Sequence, residues 1–465
     1  MNLDDADAPV VIIGAGPVGL AAAAELITRG EHPIVLEAGS EVAPAIREWG
    51  HVRLFSPWKY LTAPAARRLL LAAGWSEQDG DLLPTGRELV SQYLEPLAAI
   101  PELAQSIRFR QKVTGITRQG MDKLTTAGRE AAPFEIRVDT PEGRELVTAR
   151  AVLDASGTWR TPNPVGADGM RALGEAEHAD RIFYGIPDVL AARDRYAGRR
   201  VMVVGRGHSA FNALLDLAAL KEQVPGTEIT WATRKRLSRG AFGGGDADAL
   251  PARGRLGELV YALVEAGRVR LVEEFAVARL SEGAGGLVVE SRRGERVVVD
   301  EMIAATGFRP DLSLTTELRL RLDEIVESPV ALAPLIDPNV HSCGSVPPHG
   351  EAELAHPEKG FYVVGMKSYG RAPTFLMLTG YEQVRSIACA LTGDMVGARE
   401  VQLVLPETGV CSTGPALRAF GDDSLEILAD AASCCTVEPV GAAQTAGSCC
   451  GTDSAPAERA GQACC

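Results

Sequence analysis

Cysteine is absent from the first 342 residues of this 465-residue chain, and all nine of its cysteines lie at or after Cys343. A secreted protein stapled by disulfides would spread its cysteines through the fold, so this distribution argues against that class. Seven of the nine lie at or after Cys411. The sequence therefore predicts a folded part without cysteine pairs and a C-terminal segment that carries most of the thiols.

Excess basic charge, aromatic residues and long apolar runs are also missing. The formal net charge of −14 argues against nucleic acid as the main partner. Aromatic content of 5% with 49 glycines favours an α/β protein over a β-sandwich. No apolar run reaches the roughly 18 residues of a spanning helix, and the start MNLDDADAPV lacks the features of a secretory signal. We therefore expect a cytoplasmic protein without a membrane partner.

The first dinucleotide-binding signal is PVVIIGAGPVGLAAAAELITRGEHPIVLEA, at residues 9–38. This segment has the order of a Rossmann unit: an apolar run, a glycine turn, an alanine-rich helix and a second apolar run that ends in Glu37. Such glycines permit a tight turn, close approach of the backbone to a pyrophosphate, and close packing of helix on strand. Glu37 can accept hydrogen bonds from a ribose diol. The predicted contacts in the turn are Gly14, Gly16, Pro17, Val18 and Gly19.

The second signal begins with RRVMVVGRGHSAFNALL at residue 199. Alanine in place of the third glycine still permits close packing. The next apolar run ends in TRKR, so Arg234 and Lys235 lie where a ribose 2′-substituent is expected, which favours NADPH over NADH. The alternative is a solvated basic turn. The predicted contacts in the glycine turn are Gly205, Gly207, His208, Ser209 and Ala210.

The two halves of the chain repeat one pattern, which indicates an α/β fold with two Rossmann-like domains, one inserted in the other. In each half, three strand-like pieces follow the glycine turn and end in a small-residue turn, DASG at 154–157 and AATG at 304–307.

These motifs, with DASGTWRTP, AATGFRPD and GFYVVGMKSYGRAPTFLMLTGYEQVRSIACAL, make residues 8–395 resemble the flavoproteins that bind two dinucleotides, and among them the flavin-containing monooxygenases. The resemblance implies FAD at the first glycine turn and NADPH at the second. It implies an FAD-binding domain of residues 1–160 and 301–402 and an NADPH-binding domain of residues 161–300. The further FAD and NADPH contacts that it implies are Ala38, Trp49, Val113, Ala155, Ser156, Gly157, Thr306, Gly307, Gly365 and Met366.

Two departures from the monooxygenase pattern are visible. Phe183 and Gly185 match its phenylalanine-glycine-histidine signature, but Val189 stands where the histidine is expected. The glycine pair that precedes a tryptophan in the first domain is replaced by AIREW. With its thiol-rich end, the chain most resembles the flavoprotein monooxygenases encoded beside arsenic-resistance genes.

The missing cysteines also bear on the reaction. A disulfide reductase of this type places a cysteine pair against the flavin, whereas Cys343 and Cys389 lie singly and are expected to act as packing residues. Oxygen is then the expected acceptor, and a flavin peroxy adduct would oxidise a small soft substrate containing arsenic or sulfur. The catalytic candidates are His51, Trp58 and Tyr369, although Trp58 can equally be a packing residue and His208 more simply lines the pyrophosphate.

The tail, residues 403–465, carries three vicinal cysteine pairs that recur every 15 residues among small and polar residues. Paired thiolates suit soft ions such as trivalent arsenic or Hg(II), and the composition is typical of a flexible tether. The predicted ligands are Cys434, Cys435, Cys449, Cys450, Cys464 and Cys465. Three alternatives stay open: a reductase that uses these pairs as its acceptor, a metalloid-binding protein with an inactive core, and incidental cysteines in a disordered tail.

Overall fold

The computed structural model describes residues 8–242, 250–340, 346–373 and 375–403. The six tail cysteines predicted as ligands, Cys411 and Cys343 lie outside the described residues. The strands are β1 (Val10–Ile13), β2 (Ile34–Leu36), β3 (Ile107–Arg108), β4 (Lys112–Arg118), β5 (Phe134–Thr140), β6 (Gly143–Ala149), β7 (Ala151–Asp154), β8 (Ile182–Tyr184), β9 (Arg200–Val204), β10 (Glu228–Ala232), β11 (Arg270–Val272), β12 (Val277–Gly283), β13 (Gly286–Ser291), β14 (Arg296–Val299), β15 (Glu301–Ala304) and β16 (Phe361–Val363).

The helices differ widely in length, and the long ones cover the parallel sheets. They are α1 (Pro17–Ile27), α2 (Pro44–Glu48), α3 (Pro64–Ala72), α4 (Gly86–Leu89), α5 (Glu95–Ala98), α6 (Pro101–Ser106), α7 (Arg193–Tyr196), α8 (His208–Gln223), α9 (Pro251–Glu265), α10 (Ala333–Ile336), α11 (Glu351–Leu354), α12 (Met377–Leu391) and α13 (Met395–Arg399). A π-helical turn covers Val90–Leu94, and short 3₁₀ turns cover Trp58–Tyr60, Ala179–Arg181, Arg239–Phe242, Ser313–Thr315 and Gly365–Tyr369.

The first sheet has five parallel strands in the order β16-β7-β1-β2-β3. Strands buried on both faces are expected to be continuously apolar, and β1 is the run Val-Val-Ile-Ile. Successive side chains of a strand point to opposite faces. Val10 and Ile12 therefore pack with residues of α1 and α12, in a cluster that we name the first core. Val11 and Ile13 pack in another with residues of the antiparallel sheet β4-β5-β6.

The second sheet repeats this arrangement with the strand order β11-β10-β9-β15-β8, again parallel. Val201 and Val203 of β9 pack with residues of α8 and α9. Met202 and Val204 pack with the antiparallel sheet β12-β13-β14. The repeat confirms the predicted α/β fold with one Rossmann-like unit inserted into another. The predicted domain boundary at residue 301 falls at the first residue of β15, which pairs in the second sheet.

Two chain segments connect the sheets, and they run side by side. The first follows β7 and the second follows β15. Asn163 N–H donates to the Gly307 carbonyl at 2.9 Å, and Arg309 N–H donates to the Thr161 carbonyl at 3.0 Å. The indole of Trp159 stacks on the ring of Phe308 with centroids 4.7 Å apart. We name residues 157–163 and 306–309 the connecting ribbon.

A buried ion network fastens β4 to the segment before β16. The Glu358 carboxylate accepts from Arg118 Nε at 2.8 Å, from Arg129 Nη2 at 2.7 Å and from Arg319 N–H at 3.0 Å. Burial alone would raise the pKa of Glu358, but the hydrogen bonds from Arg129, Arg118 and Arg319 lower it below its usual value. Each oxygen of this carboxylate therefore has at least one positively charged or N–H partner, as a buried charge requires.

Replacement of Glu358 by Gln should destabilise the fold, because it leaves Arg118 and Arg129 buried without a carboxylate. We expect a loss of about 3 kcal/mol in the free energy of unfolding, measured by chemical denaturation. The exposed pair Lys59–Asp81 provides the control, and Asp81→Asn should leave stability almost unchanged. Equal losses in the two variants would contradict the prediction.

The same network predicts a pH dependence. Because the folded-state pKa of Glu358 is depressed, its contribution is present above the unfolded-state pKa of glutamate and is lost as pH falls through the folded value. The difference in unfolding free energy between the wild type and Glu358→Gln should therefore shrink in acid. A difference that stays constant as the pH is lowered would be inconsistent with the ion network.

Candidate functional site

The first glycine turn is shaped for a phosphate. A Cβ at Gly14, whose φ is +99°, would lie 2.9 Å from the Ala155 carbonyl oxygen, and a Cβ at Gly19 would lie 1.9 Å from the Gly14 oxygen. At Gly16 a Cβ would meet nothing within 4 Å. The outer two glycines therefore permit backbone packing, while the middle one faces open space at the N-terminus of α1, where a pyrophosphate can approach.

Glu37 is held rigidly at the end of β2. Its buried carboxylate accepts from Ala15 N–H and from Gly39 N–H, both at 2.7 Å. These bonds tie the glycine turn to the turn after β2. The carboxylate therefore stands at the carboxyl edge of the sheet, where a Rossmann unit binds a ribose diol. Ala38 is exposed beside it.

Two further turns meet the glycine turn at the same edge. Ala155 N–H donates to the Ile13 carbonyl at 3.0 Å, and Val364 N–H donates to the Asp154 carbonyl at 3.0 Å. Gly365 has φ +70°, and a Cβ there would lie 3.2 Å from the Val18 side chain. The structure thus brings together the predicted contacts of four separate segments: Gly14, Gly16, Pro17, Val18, Gly19, Glu37, Ala155, Ser156, Gly157, Gly365 and Met366.

The two remaining predicted contacts of the first domain, Val113 and Trp49, lie outside these turns. Val113 is buried on β4 opposite Val138, and its role toward adenine stays a prediction. Trp49 packs against the first core and closes over Gly86, where a Cβ would lie 2.8 Å from the indole ring. The indole packing explains why glycine occupies position 86 and gives Trp49 a structural role.

The second glycine turn repeats the first. A Cβ at Gly205, with φ +131°, would lie 2.2 Å from the Ala305 carbonyl oxygen, whereas Gly207 again faces open space. Ala210 is fully buried in the adjacent helix, which agrees with its predicted packing role. The His208 ring, at the first residue of α8, contacts the Phe55 ring at a centroid distance of 5.3 Å. Ser209 follows it in the first turn of the helix.

The basic residues predicted to recognise a 2′-phosphate follow β10. Arg234 and Lys235 are exposed, and Arg234 Nη1 donates to the Ala167 carbonyl at 2.9 Å. Thr306 and Gly307 belong to the connecting ribbon, and Thr306 Oγ1 donates to the Asn163 carbonyl at 2.7 Å. Exposed cations at the end of the second strand of a Rossmann unit fit NADPH.

The three catalytic candidates have different surroundings. Trp58 and Tyr369 are buried in the first core. For Trp58 this position agrees with the alternative role of a packing residue. The Tyr369 ring packs edge-on to Phe375 at 5.2 Å, and burial raises the pKa of its phenol well above the usual value. The phenol therefore stays protonated near neutral pH. His51 instead lies near Pro187 and Asp188, within the predicted NADPH-binding domain.

Burial lowers the pKa of His51, although Asp188 and the Pro187 carbonyl act in the opposite direction. Among the described residues, His51 Nε2 is buried and has no hydrogen-bond partner. A neutral imidazole with one unengaged nitrogen is able to donate to or accept from a bound molecule.

The structure also reveals contacts that sequence reasoning missed. Lys367 Nζ donates to Asp154 Oδ2 at 2.7 Å inside the protein. Trp159 Nε1 donates to Glu48 Oε2 at 2.7 Å, which ties α2 to the connecting ribbon. A charged residue at the end of an apolar strand, as Asp154 is in β7, was the signal available for the first contact.

Thiols and metal ligands are scarce in the part of the chain that the structure describes. Its single cysteine, Cys389, is buried, and Arg29 Nη2 donates to its sulfur at 2.9 Å. Burial raises the pKa of this thiol, which fits the packing role expected from the sequence. The described residues contain no group of three or more His, Cys, Asp or Glu side chains placed to hold a metal. Their helices are also too short or too polar to cross a bilayer.

Sequence and structure comparisons identify the family and the fold of the chain. Residues 11–331 match the family described as pyridine nucleotide-disulphide oxidoreductase. Indole-3-pyruvate monooxygenase YUCCA1 of Oryza sativa subsp. japonica is 30% identical over 210 residues, which is 44% of this chain and 44% of that protein. The chain thus matches less than half the length of this curated relative.

Two solved structures have the same fold. The bacillithiol disulfide reductase of Bacillus cereus has a TM-score of 0.61 at 20% identity, over 83% of this chain and 98% of that one. A flavin monooxygenase from Stenotrophomonas maltophilia has a TM-score of 0.54 at 22% identity, with the same coverage of both chains. The chain therefore belongs to the pyridine nucleotide-disulphide oxidoreductase family.

Proposed function

We propose that the protein is an NADPH-oxidising flavin monooxygenase that acts on a small soft substrate containing arsenic or sulfur. The observation that carries this proposal is the combination of two nucleotide sites with the lack of a cysteine pair in residues 1–342. Within the described residues, the single cysteine, Cys389, is buried and has a raised pKa. Residues 1–342 therefore offer electrons on the flavin no dithiol acceptor, and we infer that oxygen is the acceptor.

The glycine turns and strand ends would hold the cofactors. FAD would lie on the Gly14–Gly19 turn with its ribose at Glu37, and NADPH on the Gly205–Ala210 turn with its 2′-phosphate at Arg234 and Lys235. When bound, FAD accepts a hydride from NADPH and in its reduced form activates oxygen. The protein's contribution is to orient the two nucleotides and to exclude water from the reacting centre.

Residues 48–58 would provide part of that exclusion. Glu48 accepts from Trp159 Nε1 and pairs with Arg160 at 2.5 Å, and Phe55 covers His208 at the second glycine turn. Through these contacts the segment touches both the connecting ribbon and the second glycine turn. His51 lies in the same segment, and its Nε2 has no hydrogen-bond partner among the described residues.

The cysteine pairs of the tail would capture a thiophilic ion for the core. Vicinal thiolates bind trivalent arsenic or Hg(II), and attachment to the enzyme raises the local concentration of bound substrate. The chain is fastened immediately before the tail. Arg385 Nη1 donates to the Gly397 carbonyl at 2.8 Å, and Gln402 N–H donates to Glu382 at 3.1 Å. Cytoplasmic location, where thiols stay reduced, belongs to the same proposal.

The second candidate function is a reductase of disulfides or metal ions that uses the tail thiols as its electron acceptor. The six regularly spaced thiols favour it, because they are the only cysteine pairs in the sequence. This reaction does not need oxygen, which separates the two candidates.

Oxygen dependence tests the proposal directly. We expect NADPH oxidation by the flavin-loaded protein, stimulated by arsenite or a soft thioether, to stop when oxygen is removed. The measurement is NADPH absorbance in matched aerobic and anaerobic cuvettes, with oxygen uptake recorded in the first. Continued turnover at the same rate without oxygen would refute the monooxygenase.

Removal of residues 403–465 separates the role of the tail from that of the core. If the tail captures substrate, the truncated protein should keep its maximal rate and need a higher substrate concentration for half-saturation. A full-length variant with serine at all six paired cysteines is the matched control and should behave in the same way. Loss of all turnover in both proteins would instead favour the reductase.

Removal of both Arg234 and Lys235 tests the recognition of NADPH. Alanine at both positions should raise the KM for NADPH by roughly tenfold or more, equivalent to about 1.4 kcal/mol. The KM for NADH should change little, because NADH has no 2′-phosphate. Arg144→Ala, which removes an exposed cation on β6, is the control. No change in either KM would indicate a solvated basic turn, and an equal rise in both would contradict recognition of the 2′-phosphate.

A further inference from the structure

A lysine is buried where the FAD-facing turns meet. The side chain of Lys367 is 1% exposed, and that of its partner Asp154 is 0% exposed. The ammonium Nζ donates to Asp154 Oδ2 at 2.7 Å and to Ser156 Oγ at 3.0 Å. Lysine is rarely buried this completely without a specific partner, so the pair requires an explanation.

The ammonium links two turns that are far apart in the sequence. Asp154 ends β7 and Ser156 lies in the turn that follows, whereas Lys367 lies in the turn after β16. Because β7 and β16 are neighbouring parallel strands, both turns leave the same edge of the first sheet. Ser156 Oγ also donates to Asp154 Oδ1 at 2.6 Å, so a single network joins both turns.

The second turn is fixed from its other side as well. Gln383 of α12 accepts from Gly365 N–H at 2.8 Å and donates to Ser368 Oγ at 2.9 Å. The turn from Gly365 to Ser368 is thus attached to α12 through Gln383 and to the first turn through Lys367. Gln383 sets the distance between this turn and α12, and Lys367 sets the distance between this turn and Ser156.

Stability alone is a poor reason for such a pair. Two buried charges must be removed from water, and a hydrophobic pair of similar volume often gives equal or greater stability. The ammonium is too enclosed to touch a bound cofactor, so its effect must act through the groups that it holds. Those groups are the Ser156 hydroxyl and the backbone of both turns.

We propose that Lys367 is a positioning residue for FAD, which holds the Ser156 turn and the Gly365 turn at the separation that the bound cofactor requires. The inference rests on FAD binding and is independent of the reaction that follows. Loss of the ammonium then weakens FAD binding and changes the environment of the bound flavin, even where the fold survives.

The test compares FAD binding in purified, flavin-stripped variants. Lys367→Met removes the charge with little change in volume. Asp154→Asn with Lys367→Met removes both charges, so that no unpaired carboxylate is left to unfold the protein. Glu358→Gln is the matched control, because it breaks a buried ion network away from the turns. The readouts are the Kd for FAD from flavin fluorescence, the visible absorbance and midpoint potential of bound flavin, and the Tm of the apoprotein.

We expect both Lys367 variants to bind FAD at least about tenfold more weakly and to shift the flavin spectrum or midpoint potential. The double variant should regain most of the apoprotein Tm without regaining affinity. Glu358→Gln should lower the Tm and leave the Kd of the folded protein unchanged.

Recovery of FAD affinity together with Tm in the double variant would overturn the proposal, as would a Kd for Lys367→Met within about twofold of the wild type. None of these readouts involves oxygen or NADPH, so they are unaffected if the monooxygenase proposal fails.

Discussion

Contact between a glycine turn and the residue after the neighbouring parallel strand is the constraint on which both halves of this protein depend. Gly14 meets the Ala155 carbonyl and Gly205 meets the Ala305 carbonyl, in each case too closely for a side chain. Because the contact is made by backbone atoms, it fixes the height of each turn above its sheet regardless of the surrounding side chains. The open middle glycine of each turn, Gly16 or Gly207, then faces outward for a phosphate.

The fold was predictable because local sequence patterns indicate its strands, turns and helices. Apolar runs, glycine turns and strand ends occur twice in the same order, and parallel sheets convert that order into a position at one edge. Glu37 was predictable for this reason, since it directly ends a strand. Val189 was not understood from the sequence: it replaces a histidine of the monooxygenase pattern. The structure shows it fully buried in the core that β9 forms with α8 and α9. An apolar residue at that position therefore has a packing reason of its own.

The contacts that escaped prediction join residues far apart in the chain. Lys367 and Asp154 are 213 positions apart, and Trp159 and Glu48 are 111 apart. No periodicity connects such partners, because their meeting depends on how whole elements pack. The catalytic candidates illustrate the same limit. Their residue types suit flavin chemistry, but Trp58 and Tyr369 are buried whereas His51 is half-buried, and burial is decided by tertiary packing.

The connecting ribbon has a mechanical consequence. Since its two segments are hydrogen-bonded to each other through Thr161, Asn163, Gly307 and Arg309, the inserted half is attached by a narrow two-stranded band and not by two independent tethers. Hydrogen bonds between the two strands oppose stretching and sliding, so we expect torsion about the long axis of the band to be the main movement open to the inserted half. The bonds that Trp159 and Arg160 make to Glu48 would oppose that torsion.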